Sequence, residues 1–129
     1  MKIPARKKER YVLLLGELRK YNYKKFLCGA LGAKVRVYPE SIAETAWHAS
    51  KSILSTKLAL RLPYVVKNAK IYKQHVQPKD TKQTKVFHFK ELVILTCGIR
   101  GLGTAQLTVG IRYKKFLMEY CITDFNHKK

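Results

Sequence analysis

The residues with the clearest chemical potential are lysines that recur between Val66 and Lys90. Asp80 is the single acid in this stretch. The lysines are Lys67, Lys70, Lys73, Lys79, Lys82, Lys85 and Lys90, and His75 lies among them. Alternate residues of a strand share one face, so a ribbon of this kind can follow a phosphate backbone and release its counterions. Lysine runs also occur on ordinary solvated surfaces, so phosphate binding is predicted only together with the rest of the chain.

The whole chain is strongly cationic, and this charge restricts its function. Its 129 residues contain 27 Lys and Arg against 8 Asp and Glu, which gives a formal net charge of +19. Such a charge repels itself in a compact state and favours a polyanionic partner. Hydrophobic residues make up 47%, enough for a folded core. We therefore expect a folded RNA-binding protein, and disfavour enzymes of small metabolites, disulfide scaffolds and membrane proteins.

Three further basic segments extend the predicted RNA-binding surface. They are the N-terminal arm (residues 1–10), a turn after residue 97 and a cluster near the C-terminus. Their predicted RNA-binding residues are Arg6, Lys7, Lys8, Arg10, Arg100, Arg112, Lys114 and Lys115. The turn has the G-x-x-G form of loops that grip nucleotides, but the strand pattern after it favours a plain turn.

Aromatic and cationic residues alternate in Arg19-Lys20-Tyr21-Asn22-Tyr23-Lys24-Lys25. Two interpretations stay open for this segment. In one, bases stack on the rings while the amines hold phosphates. In the other, Tyr21 and Tyr23 pack in the protein and the charges are merely solvated.

The sequence contains no recognisable catalytic or metal-binding motif. Cys28, Cys97 and Cys121 are widely spaced and odd in number, so they predict neither a disulfide framework nor a zinc site. They favour a reducing compartment. No phosphate-binding glycine motif is present, and no Ser/His/Asp or Cys/His set stands out. We expect a non-enzyme with no metal, no cofactor and no small-molecule substrate.

The predicted elements form a single α/β domain, residues 11–129, after the basic arm. Helical spacing is favoured from Glu9 to Tyr21, with a strand over 11–15 as the alternative. Strands are predicted over 34–38, 59–66, 70–76, 86–95, 107–113 and 116–122, although Lys90-Glu91 is also compatible with a short helix. Ser41-Ile42-Ala43-Glu44 has the capping-box form, which predicts a helix from Ser41 to Leu54.

The expected architecture is a two-layer sandwich. It has a four- to five-stranded mixed sheet, one or two helices on one face, and a projecting basic hairpin over residues 70–89.

The sequence gives weak signals for location. No apolar run approaches the roughly 20 residues that cross a bilayer. Glu9 and the lack of Ser before Ser41 disfavour a cleavable mitochondrial presequence. The cytoplasm and the mitochondrion are not distinguished.

The order of elements from Val35 to Tyr113 resembles one ribosomal family. The strand, the helix from Ser41, Leu62-Pro63 and the two basic hairpin arms resemble the small-subunit ribosomal protein S-ten family. The resemblance implies that the hairpin tip, with Lys79, Lys82 and Lys85, threads between rRNA helices. It also implies that the two-layer body packs against neighbouring ribosomal proteins.

The element order is also similar to the Alba architecture. Alba proteins coat DNA or RNA or serve as subunits of ribonuclease P, and they grip the duplex partly through a projecting hairpin. We predict a structural constituent of a ribosome that binds rRNA. The alternatives are an Alba-like DNA/RNA-binding protein, a ribonuclease P-type subunit and a small RNA-processing enzyme.

Overall fold

The computed structural model describes residues 1–78, 88–112 and 117–124, the last of these as backbone only. Val86 and Phe87 of the strand predicted over 86–95 therefore lie outside the described residues, and His88 and Phe89 are not part of a strand. Lys79, Lys82, Lys85, Lys114 and Lys115 lie outside the described residues too.

The N-terminal segment forms a helix, as the spacing of its apolar residues predicts. Helix α1 spans Lys7–Leu18 and continues as a 3-10 turn, Arg19–Tyr21. Leu14 and Leu18 are buried, and Glu9 in the first turn complements the helix dipole. The helix begins inside the predicted arm, so the structure has no boundary between residues 10 and 11.

A short hairpin follows. Strands β1 (Lys25–Cys28) and β2 (Ala33–Arg36) pair in antiparallel orientation. Gly32, in the connecting turn, has φ of +62°, a conformation that glycine adopts without steric cost. Strand β2 confirms the core of the strand predicted over 34–38.

Helix α2 spans Pro39–Ala49, so it begins before the predicted capping box. Pro39 occupies the first turn, Tyr38 is the N-cap residue, and the buried Ser41 lies inside the helix. The predicted cap at Ser41 is therefore wrong. Glu44 instead contacts His48, one turn later, at 2.8 Å.

The helix predicted to run to Leu54 is interrupted at residues 50–52. Helix α3 spans Ile53–Ala59, and its capping box joins Ser52 and Ser55. Helix α4 spans Leu62–Asn68, so the strand predicted over 59–66 is wrong. Pro63 lies in the first turn of α4, where its missing N–H costs nothing.

The C-terminal half supplies four strands. They are β3 (Lys70–Val76), β4 (Glu91–Ile99), β5 (Gly103–Ile111) and β6 (Leu117–Asp124). All neighbours among them pair in antiparallel orientation. The predicted strands over 70–76, 107–113 and 116–122 are thus confirmed within a few residues. Lys90-Glu91 opens a strand, not a helix, and residues 99–103 form the plain turn predicted there.

The hairpin β1–β2 joins the four antiparallel strands through a parallel contact of β2 with β6, where Arg36 lies opposite Met118. The order across the sheet is β1-β2-β6-β5-β4-β3. The α/β class is confirmed. The expected four or five strands and one or two helices are wrong, because the described residues contain six strands and four α-helices.

One core lies between the helices and one face of the sheet. Leu14, Leu58 and Leu62 from the helices pack there with Leu95 and Leu107 from the strands. A smaller cluster of Phe89 and Leu92, with Tyr38 and Val76 packed against it, is separate from this core. None of the described helices is long and apolar enough to cross a membrane.

Candidate nucleic-acid interface

The sheet face opposite the helices carries polar and cationic residues beside the small apolar cluster of Phe89 and Leu92. In β4 and β5 the odd-numbered residues from Val93 to Val109 enter the core, so the even-numbered ones face the other way. Directly opposed residues of antiparallel strands share a face. Lys70 is opposite Thr96, which is opposite Gln106, and Lys73 is opposite Ile94. Edge strand β3 therefore places two lysines beside this surface.

The β1–β2 hairpin adds further cations to the same face. Lys25 is paired with Arg36, and Arg36 lies opposite Met118, which is opposite Gly110. Lys34, two residues before Arg36 in β2, shares its side of the strand because Val35 between them is buried in the core. We refer to Lys25, Lys34, Arg36, Lys70 and Lys73 as the basic face.

Acidic side chains lie elsewhere, as far as the structure describes them. Glu9 and Glu17 belong to α1, and Glu40 and Glu44 to α2. Glu91 is opposite Ile111. Both are odd-numbered positions of β4 and β5, so both lie on the core side of the sheet. The described acids are therefore absent from the basic face, whereas exposed lysines and arginines lie on both sides of the domain.

Two tyrosines, Tyr23 and Tyr38, lie at one end of the basic face. Tyr23 is 58% exposed, and its ring meets Tyr38 edge to face with 5.7 Å between the centroids. The Tyr23 N–H donates to the Val37 carbonyl at 2.6 Å, and Nη1 of Arg36 donates to the Tyr23 carbonyl at 3.2 Å. Both contacts hold Tyr23 at φ +65°, a conformation rare outside glycine.

The two tyrosines of the aromatic–cationic segment have different environments. The half-buried ring of Tyr21 packs edge to face against Phe26 at 5.6 Å. Packing therefore accounts for Tyr21. Tyr23 instead leaves its ring largely exposed, and its backbone carbonyl accepts from Arg36.

Among the described residues, those predicted to bind RNA do not form one surface. Lys70 and Lys73 lie on the basic face, but the exposed Arg6, Lys7 and Lys8 lie at the start of α1, in the helical layer. The remaining described residues of the prediction are dispersed. Lys67 is exposed on α4, Arg100 is exposed in the β4–β5 turn, and Arg112 is half-buried after β5.

Arg10 is a structural residue, which corrects its assignment to the interface. Only 7% of it is exposed. Its Nε donates to the Ser50 carbonyl at 2.7 Å, and its Nη2 donates to the Lys51 carbonyl at 3.4 Å. Its Nη1 donates to the Ala5 carbonyl at 2.6 Å and to the Pro4 carbonyl at 3.2 Å. The guanidinium thus joins the N-terminal segment to the end of α2 and is not available to a phosphate.

The sequence prediction missed Lys34 and Arg36, whereas Lys25 belongs to the aromatic–cationic segment for which phosphate binding was one interpretation. The signal for the two missed cations was present in Lys34-Val35-Arg36-Val37, where cations alternate with residues of the core. Alternation of this kind assigns both cations to the face away from the core.

His75 forms a side-chain pair with Glu91 at the edge of the sheet. Its Nδ1 lies 3.2 and 3.1 Å from the two carboxylate oxygens of Glu91. The His75 side chain is 76% exposed, and its backbone has φ of +57° beside an irregularity in the β3–β4 pairing. Left-handed backbone at a histidine is uncommon and is enriched at functional sites.

The described cysteines are unsuited to nucleophilic chemistry. Burial raises the pKa of the Cys28 thiol, although backbone hydrogen bonds from Leu31 and Ala30 oppose the effect. Burial also raises the pKa of the Cys97 thiol against the opposing charge of Arg61. Within the described residues, no group of three or more His, Cys, Asp or Glu could hold a metal ion.

Comparison of the chain with protein-family models, with curated proteins and with solved structures gave no match.

Proposed function

We propose that the protein binds RNA through the basic face and serves as a structural, non-catalytic constituent of a ribosome. The observation that carries the proposal is that none of the described acids lies on the basic face, which the cations of two distant segments share. Lys34 and Arg36 from one hairpin and Lys70 and Lys73 from the far edge occupy the side where the described acids do not lie. A phosphate backbone laid on this side gains contacts with cations and releases counterions.

The aromatic end of the basic face supports RNA over other polyanions. The Tyr23 ring is exposed and the Arg36 guanidinium donates to the Tyr23 backbone carbonyl, so a base stacked on the ring would have its phosphate near this cation. Polyphosphates and acidic peptides offer no base for such a ring.

A ribosome is the assembly that this charge fits best. Dense rRNA phosphate offsets a net charge of +19 on 129 residues. In this proposal rRNA and neighbouring ribosomal proteins are the partners, in the cytoplasm or the mitochondrion, with no membrane and no small-molecule substrate. The resemblance to the S-ten family adds the expectation that the loop between β3 and β4 enters the rRNA.

Charge reversal on the basic face tests RNA binding. Lys70→Glu with Lys73→Glu should weaken binding to a structured RNA about tenfold or more at 100 mM salt, and lower the salt slope by roughly two. The matched control is Lys20→Glu with Lys57→Glu. It changes the net charge by the same amount, at two exposed positions of the helical layer. We expect the control to change affinity less than about threefold. Equal losses in the two variants would contradict a role for the basic face.

Sedimentation of cell lysate tests the ribosome. The protein should migrate with one ribosomal subunit and remain there after a high-salt wash. Migration in a light ribonucleoprotein would instead support the Alba-like or ribonuclease P-type alternative.

The His75–Glu91 pair favours a second candidate function, RNA cleavage. If Glu91 accepts the Nδ1 proton of neutral His75, Nε2 is left as a base. It would take the proton of a ribose 2′-hydroxyl while O2′ bonds to the adjacent phosphorus. The 5′-oxygen would leave and take a proton from water. The products would be a 2′,3′-cyclic phosphate and a 5′-hydroxyl.

This candidate has a direct test. Purified protein should cleave an RNA but not its 2′-O-methyl counterpart. His75→Ala should lower the rate at least about 100-fold, and Glu91→Gln should lower it less. Cleavage that survives His75→Ala would assign it to a contaminant.

A further inference from the structure

Trp47, the single tryptophan of the chain, lies on the outer side of the helical layer. Ile42, Ala46 and Ala49 bury the other side of α2 in the core, whereas Trp47 remains 57% exposed. A large aromatic residue on the solvent side of a helix does not stabilise the core of the monomer. The exposed indole is therefore available for a contact outside the domain.

Two neighbouring side chains hold the indole of Trp47 in place. The Lys7 Nζ lies 3.8 Å from the ring centroid, a close cation–π contact. The Tyr11 ring meets the indole at an interplanar angle of 89°, with 5.9 Å between the centroids. We refer to Lys7, Tyr11 and Trp47 as the Trp47 site. It is an ordered aromatic surface that carries a positive charge.

We propose that the Trp47 site binds an unpaired base of single-stranded RNA, which stacks on the exposed indole. Lys7 and its chain neighbours Arg6 and Lys8 would hold the adjoining phosphates. The inference rests on the proposed RNA-binding function and adds a second contact to it. The two sites lie on different sides of the domain, because α2 packs on the sheet face opposite the basic face.

The surroundings of the indole favour a nucleotide over a protein segment. An apolar protein anchor gains most where charge is excluded from the centre of the contact. Here a lysine lies directly over the ring, and Arg6 and Lys8 are exposed beside it in the chain. Aromatic rings next to cations are the combination that binds single strands without reading their sequence.

Intrinsic fluorescence reports this site directly, because Trp47 is the only tryptophan. The full chain is titrated with a single-stranded RNA of about 12 nucleotides and with a duplex of equal length. We expect the single strand to quench Trp47 and the duplex to leave it largely unchanged. Binding of the single strand without quenching would overturn the proposal and leave the indole to a protein partner. Equal quenching by both RNAs would also overturn it.

Substitution gives a second, independent measurement. Trp47→Leu should weaken single-strand binding roughly 5- to 150-fold, the range for loss of one stacked base. Trp47→Phe, which keeps an aromatic ring, should retain most of the affinity, and duplex binding should change in neither variant. Unchanged single-strand affinity in Trp47→Leu would contradict the inference.

The two proposals fail separately. In the Lys70→Glu/Lys73→Glu variant, single-strand quenching of Trp47 should persist at raised RNA concentration. Its persistence would show that the Trp47 site acts apart from the basic face. Loss of all quenching at saturating RNA in this variant would show that the indole responds to binding elsewhere, and would overturn the inference.

Discussion

The ring of Phe89 lies against the α-carbon of Gly110. A Cβ built on Gly110 would come closer than 3.0 Å to three atoms of that ring. Gly110 lies in β5 opposite Leu92, which belongs with Phe89 to the small cluster outside the main core. The missing side chain of Gly110 therefore lets Phe89 cover the sheet beside the aromatic end of the basic face.

This contact predicts coupled effects on stability. Gly110→Ala should lower the free energy of unfolding by about 1–3 kcal/mol, because the Phe89 ring must move. Phe89→Ala should cost about 2–4 kcal/mol through the cavity it leaves. In the Phe89→Ala background, Gly110→Ala should become neutral or stabilising. Urea unfolding of the four proteins measures the coupling, and purely additive effects would contradict the contact.

Arg10 is predicted to matter for stability and not for RNA affinity. Arg10→Met keeps the length of the side chain but removes the donors to Ser50 and Ala5, and leaves the carbonyl of the buried Ser50 without this donor. We expect a loss of about 2–4 kcal/mol in the free energy of unfolding. The control is Arg6→Met, an exposed neighbour that should change stability by less than about 0.5 kcal/mol. Equal effects of the two substitutions would contradict the buried role of Arg10.

The buried thiols predict a particular pH dependence. Because the folded pKa values of Cys28 and Cys97 are raised, both thiols should resist alkylation at pH 8 in the native protein and react after unfolding. In the unfolded chain they ionise from about pH 8.5, so their contribution to stability is complete below that pH and falls as the pH rises further. Mass spectrometry of the Cys121→Ser protein measures the alkylation of Cys28 and Cys97 before and after unfolding. Rapid native alkylation would contradict it.

The loop between β3 and β4 can be tested apart from the sheet. Lys79→Glu, Lys82→Glu and Lys85→Glu together should weaken binding to structured RNA, because three cations that the proposal assigns to rRNA are reversed. Electrophoretic mobility shift at several salt concentrations measures the effect. Unaltered binding of this triple variant would remove the loop from the contact surface and leave the basic face in place.

The sequence predicted the fold correctly where the hydrophobic periodicity is regular. The prediction failed where one residue type is common in two kinds of local structure. Alternation identified β5, and helical spacing identified α1. Pro63 is compatible with an edge or a bend of the strand predicted over 59–66, yet proline occurs equally well in the first turn of a helix, as it does here. The S-x-x-E pattern at Ser41 satisfied a local rule, but Pro39 started the helix earlier.

The sequence predicted site residues that are close together in the chain, but not those that the sheet brings together from distant segments. Charge density identified Lys70 and Lys73, which lie close together in sequence. Lys34 and Arg36 share this face only through the pairing of five strands, from β2 across to β3. Arg10 was misassigned because its burial depends on the Ser50 carbonyl, 40 residues away. The sequence around Arg10 does not indicate a partner so distant in the chain.

Strand β3 forms one margin of the sheet among the described strands, and its pairing with β4 is irregular on both sides of Lys73. An exposed edge strand can pair with the edge strand of another copy. Lysines and β-bulges in natural edge strands oppose such pairing. Lys70 and Lys73 would then keep free molecules apart as well as attract phosphate. Substitutions by leucine or alanine would weaken both properties and promote aggregation, whereas glutamate preserves the electrostatic barrier between copies.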